Sequence, residues 1–579
     1  MSPPETHPSD DRVAPGSPGA APRGETLTDC LRVVGAAHPD EVYGRYLFAD
    51  REPVEVTFGE TLAETRELAA GLARHGVGEG DLVLVVLEHH QDLMSVYLAA
   101  MWLGAVPAFL PHPNPKIEPR RYYANLRGLI ANSRPAAIVT RGGVREMLRA
   151  ASDDPSPRLL TPRDLRGHGR APERPAGAPG DVALVQYSSG STGQQKGAAL
   201  SHRAVLAEIR GVGEFFEISR NDAFITWVPL YHDWGLVCVA LHALSIGSTF
   251  TLLSPLDWIR RPVALFEAVE RYRPTIYYLP NFAFNFTAQR VRDDEMEGID
   301  LGSLRLCCNG AEPCFWSSHR MFVERFAPWG LDGGSLGIVY GMAEVTNSVV
   351  AAGHREPIRV DVIDRDVLQR ELRAAPVPDD HPRRQRMLGV GRALAGTELR
   401  IVDDDRREVD ERRVGEVALR SRAGMDGYHR NRRATAEVLD EEGWYYSGDM
   451  GYRVGEVLFI TGRKTDMIIA AGVNIYPQDI EEIVAEHPDA VAGRIAAIGV
   501  DDAESGTQAI VVIVESKSDD VAVHRDIAGF ARREVAERLN VALGRVVHAP
   551  HRWLIKTSSG KIARKPNLER LAELERPSG

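Results

Sequence analysis

DVALVQYSSGSTGQQKGAAL, Asp181 to Leu200, sets a loop of glycines, hydroxyls and one lysine between two apolar runs. Val182–Gln186 reads as a short buried strand, and Gly197–Leu200 as a second. Ser201 then caps a helix that carries Val205, Leu206 and Ile209 on one face. Tyr187–Gly197 holds three glycines, three serines and a threonine, a composition that packs poorly and is costly to order. Flanking strands pin both ends, which argues against a flexible surface linker. Glycines let backbone N–H groups converge, hydroxyls add donors, and Lys196 supplies positive charge; together these suit the oxygens of a phosphate.

Two other glycine-rich readings fail on spacing. A Walker A loop needs Gly and Lys adjacent, then Ser or Thr, opening a helix. Here Gln195 precedes Lys196, Gly197 follows it, and the next segment is extended. A nucleophile elbow needs Gly-x-Ser-x-Gly, which the loop lacks. That spelling occurs at Gly333–Gly337, after a Gly-rich turn instead of an apolar strand.

A chain of 579 residues exceeds one ordinary core, so two or three domains are expected. The net charge of −12, with no basic block, argues against nucleic acid as a partner. No apolar run approaches the roughly 20 residues that span a bilayer. Residues 1–25 are rich in Pro, Gly and charge and lack an apolar signal core, so a disordered tail is expected. The five cysteines, Cys30, Cys238, Cys307, Cys308 and Cys314, show neither a zinc spacing nor a disulfide framework. That fits buried apolar thiols in a reducing cytoplasm, the expected location.

From Thr57 to about Thr140 helical and strand patterns alternate, and the alternation continues through AFITWVP, STFTLL, TIYYLP and LRLCCNG. This predicts an α/β fold of doubly wound layers. Ligands in such folds sit at the carboxyl ends of strands, so YSSGSTGQQKG, PLYHDWG, PNFAFN, NGAEP and YGMAE are expected to converge. From Arg392 the pattern becomes β-rich, to about residue 461. After Asp466 a short α+β unit follows, which places a boundary at residues 462–466 and a smaller domain at 467–579.

Six blocks, YSSGSTGQQKG, PLYHDWG, YGMAE, YYSGDMG, TGRKTD and KTSSGKIAR, stand in the order found in the adenylate-forming superfamily of acyl-CoA synthetases, peptide-synthetase adenylation domains and luciferases. The chain resembles that superfamily from about Leu31 to Leu571. WVPLYHDWGL, SPLDWIRRP, LPNFAFN, NGAEP and YPQDIE look closest to the fatty acyl-AMP ligases. The resemblance implies a large N-terminal adenylation domain over 26–461, a hinge at 462–466 and a mobile C-terminal domain. It implies that a carboxylate attacks the α-phosphate of ATP, giving acyl-adenylate and pyrophosphate. The acyl group then passes to a thiol, on an acyl carrier protein or on CoA.

The same resemblance implies roles for individual residues. Ser188, Ser189, Gly190, Ser191, Thr192, Gly193 and Lys196 hold the β- and γ-phosphates. Asn309, Gly310, Ala311, Glu312, Tyr340, Gly341, Met342 and Ala343 surround the nucleotide, with Tyr340 stacked on adenine. Glu344 holds Mg²⁺, which takes carboxylate and phosphate oxygens. Asp449 accepts bonds from the ribose hydroxyls, and Arg463 makes a second ribose or phosphate contact. Lys561 bridges the substrate carboxylate and the α-phosphate, easing the approach of two anions. His232 gates the acid pocket or is a structural histidine. Trp234, Asn281, Phe282 and Phe284 line that pocket, or the Phe pair is core.

The sequence departs from the superfamily pattern in three places. Ala343 stands where Thr is frequent, as in fatty acyl-AMP ligases. Thr465 replaces the usual Asp or Lys of the hinge. Glu344 to Gly389 spans 45 residues, and the extra length, a charged segment within about 353–388, resembles an insertion linked in fatty acyl-AMP ligases to poor use of CoA. A catalytically silent nucleotide-binding partner protein is the alternative from another class, against which Lys196, Glu344, Asp449 and Lys561 all stand intact.

Overall fold

The computed structural model describes residues 22–113, 119–151, 157–187, 195–354, 356–470, 473–502, 507–539, 541–557 and 561–574. Among them, fourteen strands join into one sheet. Its centre is parallel: Val42–Leu47, Thr249–Leu253, Ala223–Thr226, Ile276–Tyr278, Leu306–Asn309 and Leu336–Tyr340 lie side by side in that order. These strands are apolar through most of their length because helices cover both faces. One face packs against Val205, Ile209, Trp234 and Val239, the other against Trp258, Phe266, Phe284 and Phe322.

A second, four-stranded parallel sheet orders Val106–Phe109, Leu82–Val86, Ala137–Thr140 and Arg158–Leu160. Leu82–Val86 is buried at every residue, so it shows no polar alternation. The helix Phe58–Arg74 starts where Thr57 and Glu60 form a reciprocal cap, and Gly76, at φ +73°, follows its end. The expected connection between Val182–Tyr187 and Gly197–Ser201 is an antiparallel pair, and Ser201 Oγ accepts from Ala204 N at 3.2 Å to begin the next helix.

Beyond Tyr340 the large sheet turns antiparallel through Val350–Gly353, Arg384–Ala393, Val457–Arg463, Tyr445–Val454, Gly415–Ser421 and Thr397–Val402. This is the β-rich region, starting slightly before Arg392. Residues 468–574 form a separate arrangement: the hairpin Ile468–Ala470 with Val473–Ile475, and the sheet of Ala490–Asp502, Thr507–Ser516 and Arg545–Ala549. Helices Pro477–Ala485 and Val521–Leu539 cover it, with Ile480, Val484, Ile527 and Val535 in their own core.

Among the described residues, the extra segment before Gly389 contains regular secondary structure. Val360–Asp364 pairs with Arg384–Leu388 as a strand, and Arg365–Glu371 is a helix capped by Asp364. It touches the C-terminal unit at several points. Asn474 Nδ2 donates to Gln369 O at 3.1 Å, and Arg383 Nη1 donates to Glu537 O at 3.4 Å. Asp479 is held by the Gln385 side chain and the Arg365 charge, although burial and the charge of Glu482 still raise its carboxyl to about 7.

Candidate active site

Four neighbouring parallel strands end at the same edge, and the segments that follow them carry Tyr231–Trp234, the start of the helix Asn281–Arg290, Gly310–Glu312 and Gly341–Glu344. The strand order therefore brings together loops that are far apart in the chain, at the position where α/β folds bind ligands. Ser188, Ser189, Gly190, Ser191, Thr192 and Gly193 lie outside the described residues.

Glu344 sits in a single 3₁₀ turn, Ala343–Val345, and is 9% exposed. Burial raises its carboxyl above the ordinary value, and a hydrogen bond from the Tyr428 hydroxyl, 2.7 Å from Oε1, opposes that. The Tyr428 ring lies 5.0 Å from the Lys196 ammonium, so the described end of the Gly- and Ser-rich loop reaches Glu344 through one tyrosine. The turn beyond Glu344 is tight. Thr346 has φ +69° and ψ −57°, and Asn347 N donates to Val345 O at 2.9 Å, which makes a strained γ-turn. Thr346 Oγ1 donates to Ala423 O at 2.6 Å, and Met425 N to Glu344 O at 2.8 Å, so the strain is held from both sides. A Cβ on Gly341 would lie 1.7 Å from Asn347 O; only glycine permits this close fold-back.

Asp449 and Arg463 face each other on the hairpin of Tyr445–Val454 and Val457–Arg463. Arg463 Nε donates to Asp449 Oδ1 and the Tyr340 hydroxyl donates to Asp449 Oδ2, each at 3.0 Å. The Asp449 charge keeps the Arg463 guanidinium protonated, against the burial that opposes it.

Lys561 enters from the C-terminal unit. Protein atoms crowd its ammonium and Arg463 repels it, which together lower its pKa; Asp233, Glu312 and Asp449 attract it and limit the fall. Lys561 is nonetheless exposed to solvent, which damps these effects. Asp233 is itself paired, with Oδ1 at 2.5 Å from His232 Nδ1 and 2.8 Å from Trp234 N. Burial pushes the Asp233 carboxyl up, but the charge and hydrogen bond of His232, with the Lys561 charge, hold it below the usual range. Glu312 Oε1 accepts from Phe282 N at 2.5 Å, and Lys556 Nζ stands 5.9 Å from the Phe282 ring centre. Burial raises Glu312 as well, and Lys556 and Lys561 moderate the shift. Lys561 and Lys556 thus act on the carboxylates Asp233 and Glu312, and Arg463 with Asp449 on Lys561, a mixture of charges suited to holding a polyanion while a further anion approaches it.

The profile of the family described as "AMP-binding enzyme" matches residues 32–429. The chain belongs to the AMP-binding enzyme family. It is an adenylate-forming ligase. A Caulobacter vibrioides protein provisionally named an acyl-CoA synthetase is 30% identical over 516 residues, covering 87% of this chain and 88% of that one. The medium-chain-fatty-acid–[acyl-carrier-protein] ligase of Moorena producens is 26% identical, covering 94% of both chains. A solved structure from work on the fatty acyl-adenylate ligases of E. coli and L. pneumophila superposes with a TM-score of 0.87 at 26% identity, covering 96% of this chain and 98% of that one.

In this AMP-binding enzyme the loop residues foreseen beside the nucleotide form one connected framework. Asn309 Nδ2 donates to Asn281 Oδ1 at 3.0 Å, and Asn281 Oδ1 also accepts from Phe315 N. Ala311, at φ +66°, turns the chain between Gly310 and Glu312. Trp234 packs against Gly310, where a Cβ would lie 3.4 Å from its ring and 2.7 Å from Val339 O. Met342 is half-buried beside Ala343. Phe282 meets Trp227 and Trp258 edge-on, whereas Phe284 is turned to Phe322 and His319. The structure thus gathers His232, Trp234, Gly310, Glu312, Phe282 and Lys561 but leaves Phe284 in the helical layer behind.

Sequence reasoning missed Tyr428, Asp233 as the partner of His232, and Lys556. Tyr428 belongs to a two-residue strand, Gly427–Tyr428, too short for any periodicity, and reaches the site only by pairing with Ala198–Ala199. Asp233 was visible beside His232, but whether adjacent residues pair depends on the backbone. Here the π-helix Trp234–Leu241 begins directly after Asp233, which caps it by accepting from Trp234 N, and His232 lies just before that cap.

Proposed function

We propose that this ligase joins a carboxylic acid to AMP with release of pyrophosphate, then passes the acyl group to the phosphopantetheine thiol of an acyl carrier protein. The convergence of Lys561 with Asp233, Glu312 and the Asp449–Arg463 pair is the observation that carries this reading. A lysine brought from the C-terminal unit into a cleft of carboxylates is placed to bridge two anions as charge moves between them. In this reading the carboxylate oxygen attacks the α-phosphorus and pyrophosphate leaves. Tyr340, Asp449 and Arg463 orient adenosine, and Lys196 with Ser188, Ser189, Gly190, Ser191, Thr192 and Gly193 binds the departing phosphates. His232, set by Asp233, stands at the mouth of the acid pocket formed by Trp234, Asn281 and Phe282.

Mg²⁺ fits this donor set in a limited way. Among the described residues no group of three or more His, Cys, Asp and Glu is arranged to hold a metal. Glu344 is a single carboxylate beside the phosphate loop, as befits an ion bound by one protein oxygen and the substrate's own phosphates. When bound, Mg²⁺ supplies charge neutralisation to the phosphates; Glu344 and Tyr428 set where it sits.

The strand and helix within the 356–388 segment favour a carrier protein over free CoA. Its contacts with Asn474, Asp479 and Glu537 oppose rotation of the C-terminal domain about residues 462–466, and a carrier brings its own interface to offset them. The name of the Moorena producens relative supports the carrier, and that of the Caulobacter vibrioides relative supports the alternative acceptor, CoA. Among the described residues no helix is long and apolar enough to cross a membrane, and the reading places the enzyme in the cytoplasm. The test is acid-dependent pyrophosphate release, with acyl transfer followed in the presence of CoA or of a phosphopantetheinylated carrier. Release with no acid at all, or none with any acid, overturns the reading and leaves the silent nucleotide-binding protein.

A further inference from the structure

The stretch that delivers Lys561 consists of two paired arms. Thr557 N donates to Lys561 O at 2.7 Å, Lys561 N donates to Thr557 Oγ1 at 3.1 Å, and Lys556 faces Ile562 in an antiparallel bridge. Asn567, 0% exposed, closes the other end of the arms. Its Oδ1 accepts from Ile555 N at 2.8 Å, and its Nδ2 donates to Ile555 O and to Ala563 O, each at 2.9 Å. Both arms are thereby fixed to the first turn of the helix Arg564–Leu574. The backbone of Lys561 goes where that turn is anchored.

Arg564, the first residue of the helix, anchors it twice. Its Nη2 donates to both carboxylate oxygens of Glu481, at 2.8 and 2.9 Å, and its Nη1 donates to Asp466 Oδ2 at 3.1 Å. The two carboxylates belong to different parts of the chain. Glu481 lies on the helix Pro477–Ala485, and its Oε1 also accepts from Ala497 N at 2.9 Å, so this bond is internal to the C-terminal unit. Asp466 lies in the connecting turn. Its backbone N and that of Met467 both donate to Arg463 O at 3.1 Å, and Arg463 is the partner of Asp449. Thr465 Oγ1, from the position where Asp or Lys is usual, donates to Asp466 Oδ1 at 3.5 Å.

One guanidinium thus ties the arms of Lys561 to the turn that carries Arg463. The Glu481 bond accounts for cohesion of the C-terminal unit; the Asp466 bond lies at its edge, between side chains 20% and 25% exposed, where an ion pair adds little stability. Its value is geometric. A planar fork holds two carboxylates at fixed angles, which a lysine ammonium cannot do, and misplacement of a reacting group by about 1 Å can cost about 100-fold in rate.

We propose that Arg564 and Asp466 are positioning residues for adenylation, their ion pair setting Lys561 in register with the turn that carries Arg463. This rests on the adenylate reading and adds two residues to it that act only through Lys561.

The experiment measures pyrophosphate release by the full-length enzyme with ATP varied, using octanoate or the most active acid of a fatty and aryl panel. Asp466→Ala keeps the backbone bond to Arg463 O. It is expected to lower kcat by about 10-fold or more, with KM for ATP and Tm nearly unchanged. Arg564→Lys keeps a charge beside Glu481 but loses the fork, and should show a similar loss. Asp466→Glu, which restores the carboxylate, should recover part of the rate. In a Lys561→Ala background Asp466→Ala should add no further loss to the residual rate, because the pair acts through the lysine. An unchanged kcat in Asp466→Ala, a loss of rate matched by a loss of folded protein, or an additive loss in the Lys561→Ala background overturns this inference and leaves the adenylate reading standing. Absence of pyrophosphate release by the unaltered enzyme with every acid of the panel overturns the adenylate reading and this inference with it.

Discussion

Tyr428 donates its hydroxyl to Glu344 Oε1 at 2.7 Å, a bond between residues 84 positions apart. One tyrosine thereby orients the carboxylate proposed for Mg²⁺ and lies beneath the lysine proposed for the phosphates. Tyr428→Phe keeps the ring and removes only the donor. Loss of a bond to a charged acceptor costs about 1.5–3 kcal/mol, so adenylation at limiting Mg²⁺ should slow by roughly 10- to 100-fold. Pyrophosphate release titrated against Mg²⁺ should show part of the loss recovered at high Mg²⁺. An unchanged titration removes Tyr428 from the metal's surroundings.

Glu344→Gln tests the ligand itself. A neutral amide is a poorer ligand for a hard cation, so the Mg²⁺ requirement should rise and adenylation should slow. Tyr428→Phe combined with Glu344→Gln should be little worse than Glu344→Gln alone, because the tyrosine acts through the carboxylate. Additive losses would show separate roles.

Lys561→Ala should lower the adenylation rate by about 100-fold or more while ATP binding, followed by calorimetry, changes little. Asp449→Asn is expected to do the reverse, weakening ATP with a smaller effect on kcat, because its partners Tyr340 and Arg463 serve orientation. Equal loss of ATP affinity in both variants would make Lys561 an ordinary binding residue.

Glu208 gives stability a defined pH dependence. Its folded-state pKa is raised to about 8, above the unfolded value of about 4.3. Across that window the folded protein holds a proton the unfolded chain has released, so this residue's contribution to stability falls as pH rises from about 4.3 to 8. Glu208→Gln does not titrate. Its Tm should decline less than that of the unaltered protein between pH 5 and 8; parallel Tm curves would show that the carboxyl is ionised in the folded state.

Arg383→Ala combined with Asn474→Ala removes two contacts between the 353–388 segment and the C-terminal unit. Acyl-CoA formation should rise several-fold with no gain in adenylation rate, since a bias of about 3 kcal/mol keeps a second pose below about 1%. Efficient acyl-CoA formation by the unaltered enzyme would instead favour CoA as its natural acceptor.

The sequence by itself determined the layers and the loops between them. Apolar strand runs alternating with amphipathic helices specify a parallel sheet, because backbone groups must pair and apolar faces must be covered wherever the chain folds. The ordered blocks from Tyr187 to Arg564 then located Glu344, Asp449, Arg463 and Lys561. Tertiary structure decided which of those residues meet. Tyr428 reaches Glu344 by a two-residue strand pairing, and Glu208 reaches Ser348 N and Cys238 by the face its helix turns inward. Each of these depends on contacts between segments 30 to more than 200 residues apart, and no local pattern records such distances. The same holds for the proposed acid pocket: Phe282 and Phe284 look equivalent in sequence, but the helix Asn281–Arg290 directs one to Trp227 and the other to Phe322. Side chains two positions apart on a helix point in different directions, and only the packing around the helix decides which direction is the pocket.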